Sequence, residues 1–135
     1  PNKSNEKDTE SATSNILVNV LNLQGKVLIG DKALKYSLNS DDYIDLAKEW
    51  NERYDLPFVF ALLCFHKDKN MYKSIEKQFL KQKVKIPQYI LKQASKRTDI
   101  ESKDISNYLN LISYDLDYRA KKGLNKFYSI IKDVS

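Results

Sequence analysis

The sequence has few of the residues that several classes of functional site require. Among its 135 residues it contains one cysteine, one histidine and three glycines. Cys64 has no partner for an internal disulfide. A structural zinc site needs about four Cys or His ligands, so His66 cannot form one by itself. No phosphate loop, Gly-rich dinucleotide turn or nucleophile elbow occurs, and only three glycines are present with which to build one. We therefore expect neither a metal nor a cofactor.

Long hydrophobic runs are also missing. The longest, Phe58–Phe65, has eight residues, whereas a helix that crosses a membrane needs about 20. The chain opens with Pro1, Asn2 and Lys3, without an initiator methionine or a secretory signal. Residues 1–10 are polar and are expected to form a loop or tail. We expect a fragment that does not enter a membrane, and the low cysteine content favours a cytoplasmic location.

The positive charge is not concentrated in one motif. The net charge is +5 and the pI is about 9.1, but 20 of the 23 basic residues are lysines that lie among 18 acidic residues. Sequence-specific readout of bases favours the planar arginine fork. We expect a solvated surface and no nucleic acid partner. A small basic helical adaptor that binds nucleic acid is kept as an alternative, and its affinity would fall steeply with salt.

Apolar spacing predicts both strands and helices. The continuous apolar runs Lys26–Gly30 and Phe58–Phe65 are typical of strands buried on both faces of a parallel sheet. Apolar residues at helical spacing predict a helix after Ser14, one through Trp50 that ends before Pro57, and only helices from residue 70 onward. Two or three strands are too few to bury such runs. We therefore expect an α/β fold of which this chain holds only a part.

Two predicted helix N-termini carry residues suited to ligand contact. Ser11, Thr13 and Ser14 precede an apolar helix, where hydroxyls and free N–H groups form a site for an anion such as a carboxylate. Plain N-capping by these residues is the alternative. Gly30 and Asp31 follow a predicted parallel strand, where open α/β sheets bind ligands. There the alternative is an ordinary turn in which Asp31 caps the next helix.

Four other residues are interpreted as structural or left without a role. Trp50 and Phe58 are expected in the core, and Cys64 is expected to be a buried, inert thiol because it lies inside an apolar run. His66 has no nearby partner in the sequence that would make it a general base.

Several segments match a family pattern in order, namely SATSNILVNVL, KVLIGDKAL, YIDLAKEWNERYDLPFVFALLCF, IPQYILKQAS and GLNKFYSII. Together they resemble the chorismate dehydratase family of the futalosine route to menaquinone, and IGDKAL and DLAKEW followed by LPFVFA are the most specific pieces. The resemblance covers residues 11–131, and members are roughly twice as long as this chain.

The resemblance implies a two-lobed, type II periplasmic-binding-protein-like α/β fold with a helical C-terminal portion. Residues 1–57 would then belong to the second lobe. Residues 58–135 would supply a return strand and helices that complete the first lobe, whose N-terminal half is absent from this chain.

The resemblance also implies a reaction, a lyase step that removes water from chorismate and leaves 3-[(1-carboxyvinyl)oxy]benzoate without a cofactor. Thr13 and Ser14 would bind a carboxylate of this dianion, and Asp31 would face the cleft. The catalytic acid and base would lie in the absent half, so the isolated chain is expected to be inactive. A homodimer is left open. The alternative within the same fold is a solute-binding protein without catalysis.

Overall fold

The structure, a computed structural model, describes residues 11–82 and 85–134. All regular secondary structure in this part of the chain is α-helical, and it contains no strand. Its helices, in chain order, are α1 Ala12–Val20, α2 Gly30–Asn39, α3 Leu46–Tyr54, α4 Lys69–Lys81, α5 Gln88–Thr98, α6 Ser102–Asn110 and α7 Tyr118–Val134. None of these helices is long and apolar enough to cross a membrane.

The predicted α/β class, and with it the two-lobed periplasmic-binding-protein-like fold, is wrong. Of the two predicted strands, Lys26–Gly30 is irregular up to Ile29, and Gly30 begins α2, while Phe58–Phe65 has no regular secondary structure. A strand persists only where a neighbouring strand pairs with its backbone N–H and C=O groups. The described residues supply no such neighbour, so high apolar content at these positions did not produce a sheet.

The chain divides into two units. The first comprises residues up to 60 together with those from 116 onward, and the second comprises residues 61–115. The division predicted from the family resemblance, into parts of two lobes at residues 1–57 and 58–135, stays a prediction.

An aromatic cluster forms the core of the first unit. Trp50 and Leu17 are fully buried, and Leu21 and Phe127 are nearly so. The rings of Phe58 and Phe127 approach the Trp50 ring edge-on, with centroids 5.4 and 5.8 Å away. Such perpendicular ring pairs stabilise the core beyond the contribution of the buried apolar area. The interpretation of Trp50 and Phe58 as core residues is confirmed.

Helix α3 carries Trp50 and has well-defined ends. The Asp45 carboxylate accepts hydrogen bonds from the backbone N–H groups of Ala47 and Lys48, at 2.9 and 3.0 Å, which is N-capping. The helix ends at Tyr54, and Asp55 follows in the left-handed region with φ of 50°. Pro57 by itself would require the helix to end by Leu56, the residue that precedes it. The helix ends two residues earlier than that.

Gly123 lies inside α7. A Cβ atom at this position would clash with the backbone oxygen of Pro57. The absence of a side chain thus lets the 57–58 segment approach α7 closely, and this places Phe58 beside Phe127.

The second unit has a smaller core. Helices α5 and α6 pack together, and Leu91 and Ile100 are its buried apolar side chains among the described residues. The Ser102 hydroxyl donates a hydrogen bond to the backbone oxygen of Leu91 at 3.4 Å. No side chain of α4 is buried, so this unit leaves much of its apolar surface exposed.

Candidate functional site

The N-terminus of α1 holds three of the residues that the sequence singles out. Ser11 is the N-cap, with extended backbone, and its Oγ accepts a hydrogen bond from the backbone N–H of Ser14 at 3.1 Å. Ser14 is buried and Thr13 is half-buried. The local sequence explains this arrangement, because a serine before an apolar stripe satisfies a donor that the helix leaves unpaired.

Two donors at this helix end have no acceptor within the described residues, the backbone N–H groups of Ala12 and Thr13. The first turn contains no acidic side chain. Unpaired N–H groups at the positive end of a helix attract an anion. The predicted capping role of Ser11 is confirmed, and the remaining donors are compatible with a bound carboxylate.

The N-terminus of α2 has a different character. Gly30 begins the helix with φ of 60°, a left-handed conformation that glycine adopts without strain. Asp31 lies exposed in the first turn and makes no capping hydrogen bond; the N-cap residue is Ile29. The expected capping by Asp31 is therefore wrong. The negative charge of its carboxylate interacts favourably with the positive end of the helix dipole. The same charge disfavours an anionic ligand at this position.

The two helix ends are not joined by direct polar contacts. Within residues 11–82 and 85–134, no hydrogen bond or ion pair connects Ser11, Thr13 or Ser14 with Gly30 or Asp31. Ser11 and Ser14 are brought together by capping. All five residues lie in the first unit.

The isolated Cys64 and His66 do not form a reactive site. Both side chains are exposed, so the predicted burial of Cys64 is wrong; it was inferred from a strand that does not form. Across the described residues, no group of three or more His, Cys, Asp or Glu side chains is arranged to hold a metal ion.

Two arginines were missed by the sequence interpretation. Arg53 donates a hydrogen bond to the backbone oxygen of Leu21 at 2.9 Å, which ties α3 to the end of α1. Arg119 of α7 donates to the backbone oxygen of Asp55 and pairs with its carboxylate at 3.2 Å. Arginine suits such roles because its fork reaches two acceptors at once. The signal available in the sequence was that only three basic residues are arginine.

Comparison with known proteins decides the family. A family model described as menaquinone biosynthesis matches residues 5–133. The chain belongs to this menaquinone biosynthesis family. It is 46% identical over 133 residues to the chorismate dehydratase of Campylobacter jejuni subsp. jejuni serotype O:23/36 (strain 81-176), an alignment that covers 97% of this chain. No solved structure matches the chain.

The alignment leaves part of the relative uncovered. The chain spans 60% of the length of the Campylobacter protein. Family membership therefore applies to nearly all of this chain, whereas the name chorismate dehydratase is that of the longer Campylobacter protein.

Proposed function

We propose that this chain is part of an enzyme that dehydrates chorismate in menaquinone biosynthesis. The observation that carries the proposal is the 46% identity to a chorismate dehydratase over 97% of the chain. Identity of this extent supports a shared reaction as well as a shared family.

The reaction balances without a co-reactant. The proton on the ring carbon that bears the enolpyruvyl ether and the hydroxyl on the neighbouring carbon leave as water, and the ring becomes aromatic. The product, 3-[(1-carboxyvinyl)oxy]benzoate, keeps both carboxylates of the substrate. The protein has to orient a dianion, remove a proton and stabilise the departing hydroxyl.

The proposed substrate contacts are Ser11, Thr13, Ser14, Gly30 and Asp31. The free N–H groups at the start of α1, together with the Thr13 hydroxyl, suit a substrate carboxylate. Asp31 suits a different group, because a carboxylate repels a dianion. It would instead accept a hydrogen bond from the neutral ring hydroxyl. The proposal assigns no catalytic acid or base to this chain.

A hybrid protein tests the reaction. The 133 aligned residues of the Campylobacter enzyme are replaced by the matching residues of this chain, and chorismate consumption and product formation are followed by liquid chromatography and mass spectrometry. We expect turnover by the hybrid and none by this chain alone. A folded hybrid that binds chorismate without converting it would support a solute-binding protein instead.

Replacement of both Thr13 and Ser14 by alanine in the hybrid tests the carboxylate contact. We expect substrate binding to weaken by about 1–3 kcal/mol, since hydrogen bonds to a charged group are lost. The measurement is KM and kcat beside the melting temperature. Unchanged kinetic constants in a folded variant would remove these residues from the site.

A further inference from the structure

Arg53 binds one end of the helix whose other end carries proposed substrate contacts. Its guanidinium donates a hydrogen bond to the backbone oxygen of Leu21, the C-cap of α1, at 2.9 Å. Ser11, Thr13 and Ser14 lie at the opposite end of this helix. Helix geometry separates the two ends by about 15 Å. Arg53 therefore contacts α1 at a distance from any ligand bound at its N-terminus.

Helix α1 has no charged side chain of its own at either end. Its first turn contains no acidic residue, and its last turn contains no basic one. A cation beside the last carbonyl groups of a helix interacts favourably with the negative end of the helix dipole. Arg53 of α3 supplies this cation. Its hydrogen bond also pairs a carbonyl group that the end of α1 leaves without an intrahelical partner.

Helix α3 holds α1 through two residues that lie one turn apart. Trp50 belongs to the same buried cluster as Leu17 and Leu21, and Arg53 binds the end of the helix. Apolar burial is not directional, so it selects the inward face of α1 but constrains its position along the axis only weakly. A hydrogen bond depends steeply on distance and angle. The contact from Arg53 therefore fixes the axial position of α1.

The side chain of Arg53 is itself held in place. Its Nη2 atom lies 3.3 Å from Oε1 of Glu49, one turn earlier in α3, and 38% of the side chain is exposed. Lys48 and Glu52 form a second ion pair on the same helix, but they are 74% and 61% exposed. Within the described residues, neither of these two side chains makes a hydrogen bond to α1. The exposed pair thus provides a matched control.

We propose that Arg53 is a positioning residue for the carboxylate site at the N-terminus of α1. Because α1 is a single short helix of nine residues, a shift at Leu21 also moves Thr13 and Ser14. A displacement of about 1 Å in a bound substrate is enough to reduce turnover strongly. Arg53 would thus affect substrate binding without contacting the substrate. The inference rests on the substrate contacts that the proposed function assigns to Thr13 and Ser14.

The test replaces Arg53 in the hybrid protein. Arg53→Met removes the donor and the cation, and it should raise KM for chorismate by about 5-fold or more while kcat falls by less than about 3-fold. Lys48→Met removes an exposed cation from the same helix and should leave KM within about 1.5-fold of its original value. Melting temperatures show that each variant is folded. If the hybrid binds chorismate without converting it, Kd from calorimetry replaces KM.

A double-mutant cycle separates positioning from a purely structural role. In a hybrid that already carries Thr13→Ala with Ser14→Ala, Arg53→Met should lose most of its effect on KM, because the contacts that it positions are absent. A purely structural role instead predicts a lower melting temperature and an unchanged KM of the folded protein. If Arg53→Met does not fold, Arg53→Lys is measured in its place. It should raise KM by about 2-fold or more, since an ammonium group lacks the fork that reaches two acceptors.

The outcomes distinguish this inference from the proposed function. Equal KM values for the Arg53 variant and Lys48→Met, or an undiminished effect in the Thr13 and Ser14 background, would overturn the positioning role alone. A hybrid that neither binds nor converts chorismate would overturn the proposed function and this inference together. Unchanged binding after replacement of Thr13 and Ser14 would remove the substrate contacts and with them the role of Arg53.

Discussion

The two units of this chain differ in how far they bury their own apolar residues. In the first, Trp50, Leu17, Leu21 and Phe127 form a continuous aromatic and aliphatic core. In the second, Leu91 and Ile100 are the buried apolar side chains of the described residues, while Leu63, Phe65 and Met71 are exposed. The charges differ as well: Lys and Arg equal Asp and Glu in the first unit, and the net charge of +5 comes from residues 61–115.

This contrast teaches that hydrophobic content and stability are separate properties. The second unit is rich in Leu, Ile and aromatic residues, yet only burial of such side chains contributes free energy. We infer that the first unit, which has the larger core, contributes more to the stability of the chain than the second.

The largest effect is expected at Trp50. Trp50→Ala should lower the free energy of unfolding by about 3–5 kcal/mol, because it empties the centre of the first unit. Trp50→Phe should cost less than half as much, since it keeps ring contacts and removes an indole N–H that has no partner among the described residues. Urea unfolding followed by circular dichroism measures both. Equal costs for the two variants would contradict a ring-based core.

A pair of leucines sharpens the comparison within the second unit. Leu91→Ala should lower the free energy of unfolding by about 2–3 kcal/mol, because Leu91 is buried between α5 and α6. Leu63→Ala should change it by less than about 0.5 kcal/mol in the chain alone, because 71% of Leu63 is exposed. A similar loss of unfolding free energy in both variants would contradict this, because it would show that Leu63 is already buried in the chain alone.

A smaller effect is expected at Gly123. Glycine to alanine inside a helix normally stabilises by about 1 kcal/mol, but here the new Cβ would meet the backbone oxygen of Pro57. We expect Gly123→Ala to lower the free energy of unfolding by about 1–3 kcal/mol. Asn125→Ala, on an exposed position of α7, is the control and should be neutral or slightly stabilising. A higher free energy of unfolding for Gly123→Ala would disprove the close approach between Pro57 and α7.

Helical spacing was a dependable guide. The helix predicted through Trp50 is α3, in which Trp50 is buried, and the helices predicted from residue 70 onward are α4 to α7. Pro87 is the N-cap of α5, one residue before the first helical position, where proline is favoured. These features depend on residues within a few positions of each other, so local sequence suffices to predict them.

Apolar runs without helical spacing misled the prediction. Phe58–Phe65 has the composition of a buried strand, but a strand also needs a hydrogen-bonding neighbour, which composition cannot reveal. The same error led to the expected burial of Cys64. In the candidate site, the capping by Ser11 followed from the sequence, whereas the exposed, non-capping Asp31 did not.

The sequence by itself determined the helices, the cap of α1, the aromatic composition of the core and membership in the menaquinone biosynthesis family. Only the tertiary structure decided that the backbone of Pro57 approaches α7 at Gly123 and that Arg53 and Arg119 join helix ends. It also decided that apolar side chains such as Leu63 and Phe65 stay exposed. The reason is physical: helix formation and capping act between near neighbours, whereas packing and burial depend on segments far apart in sequence.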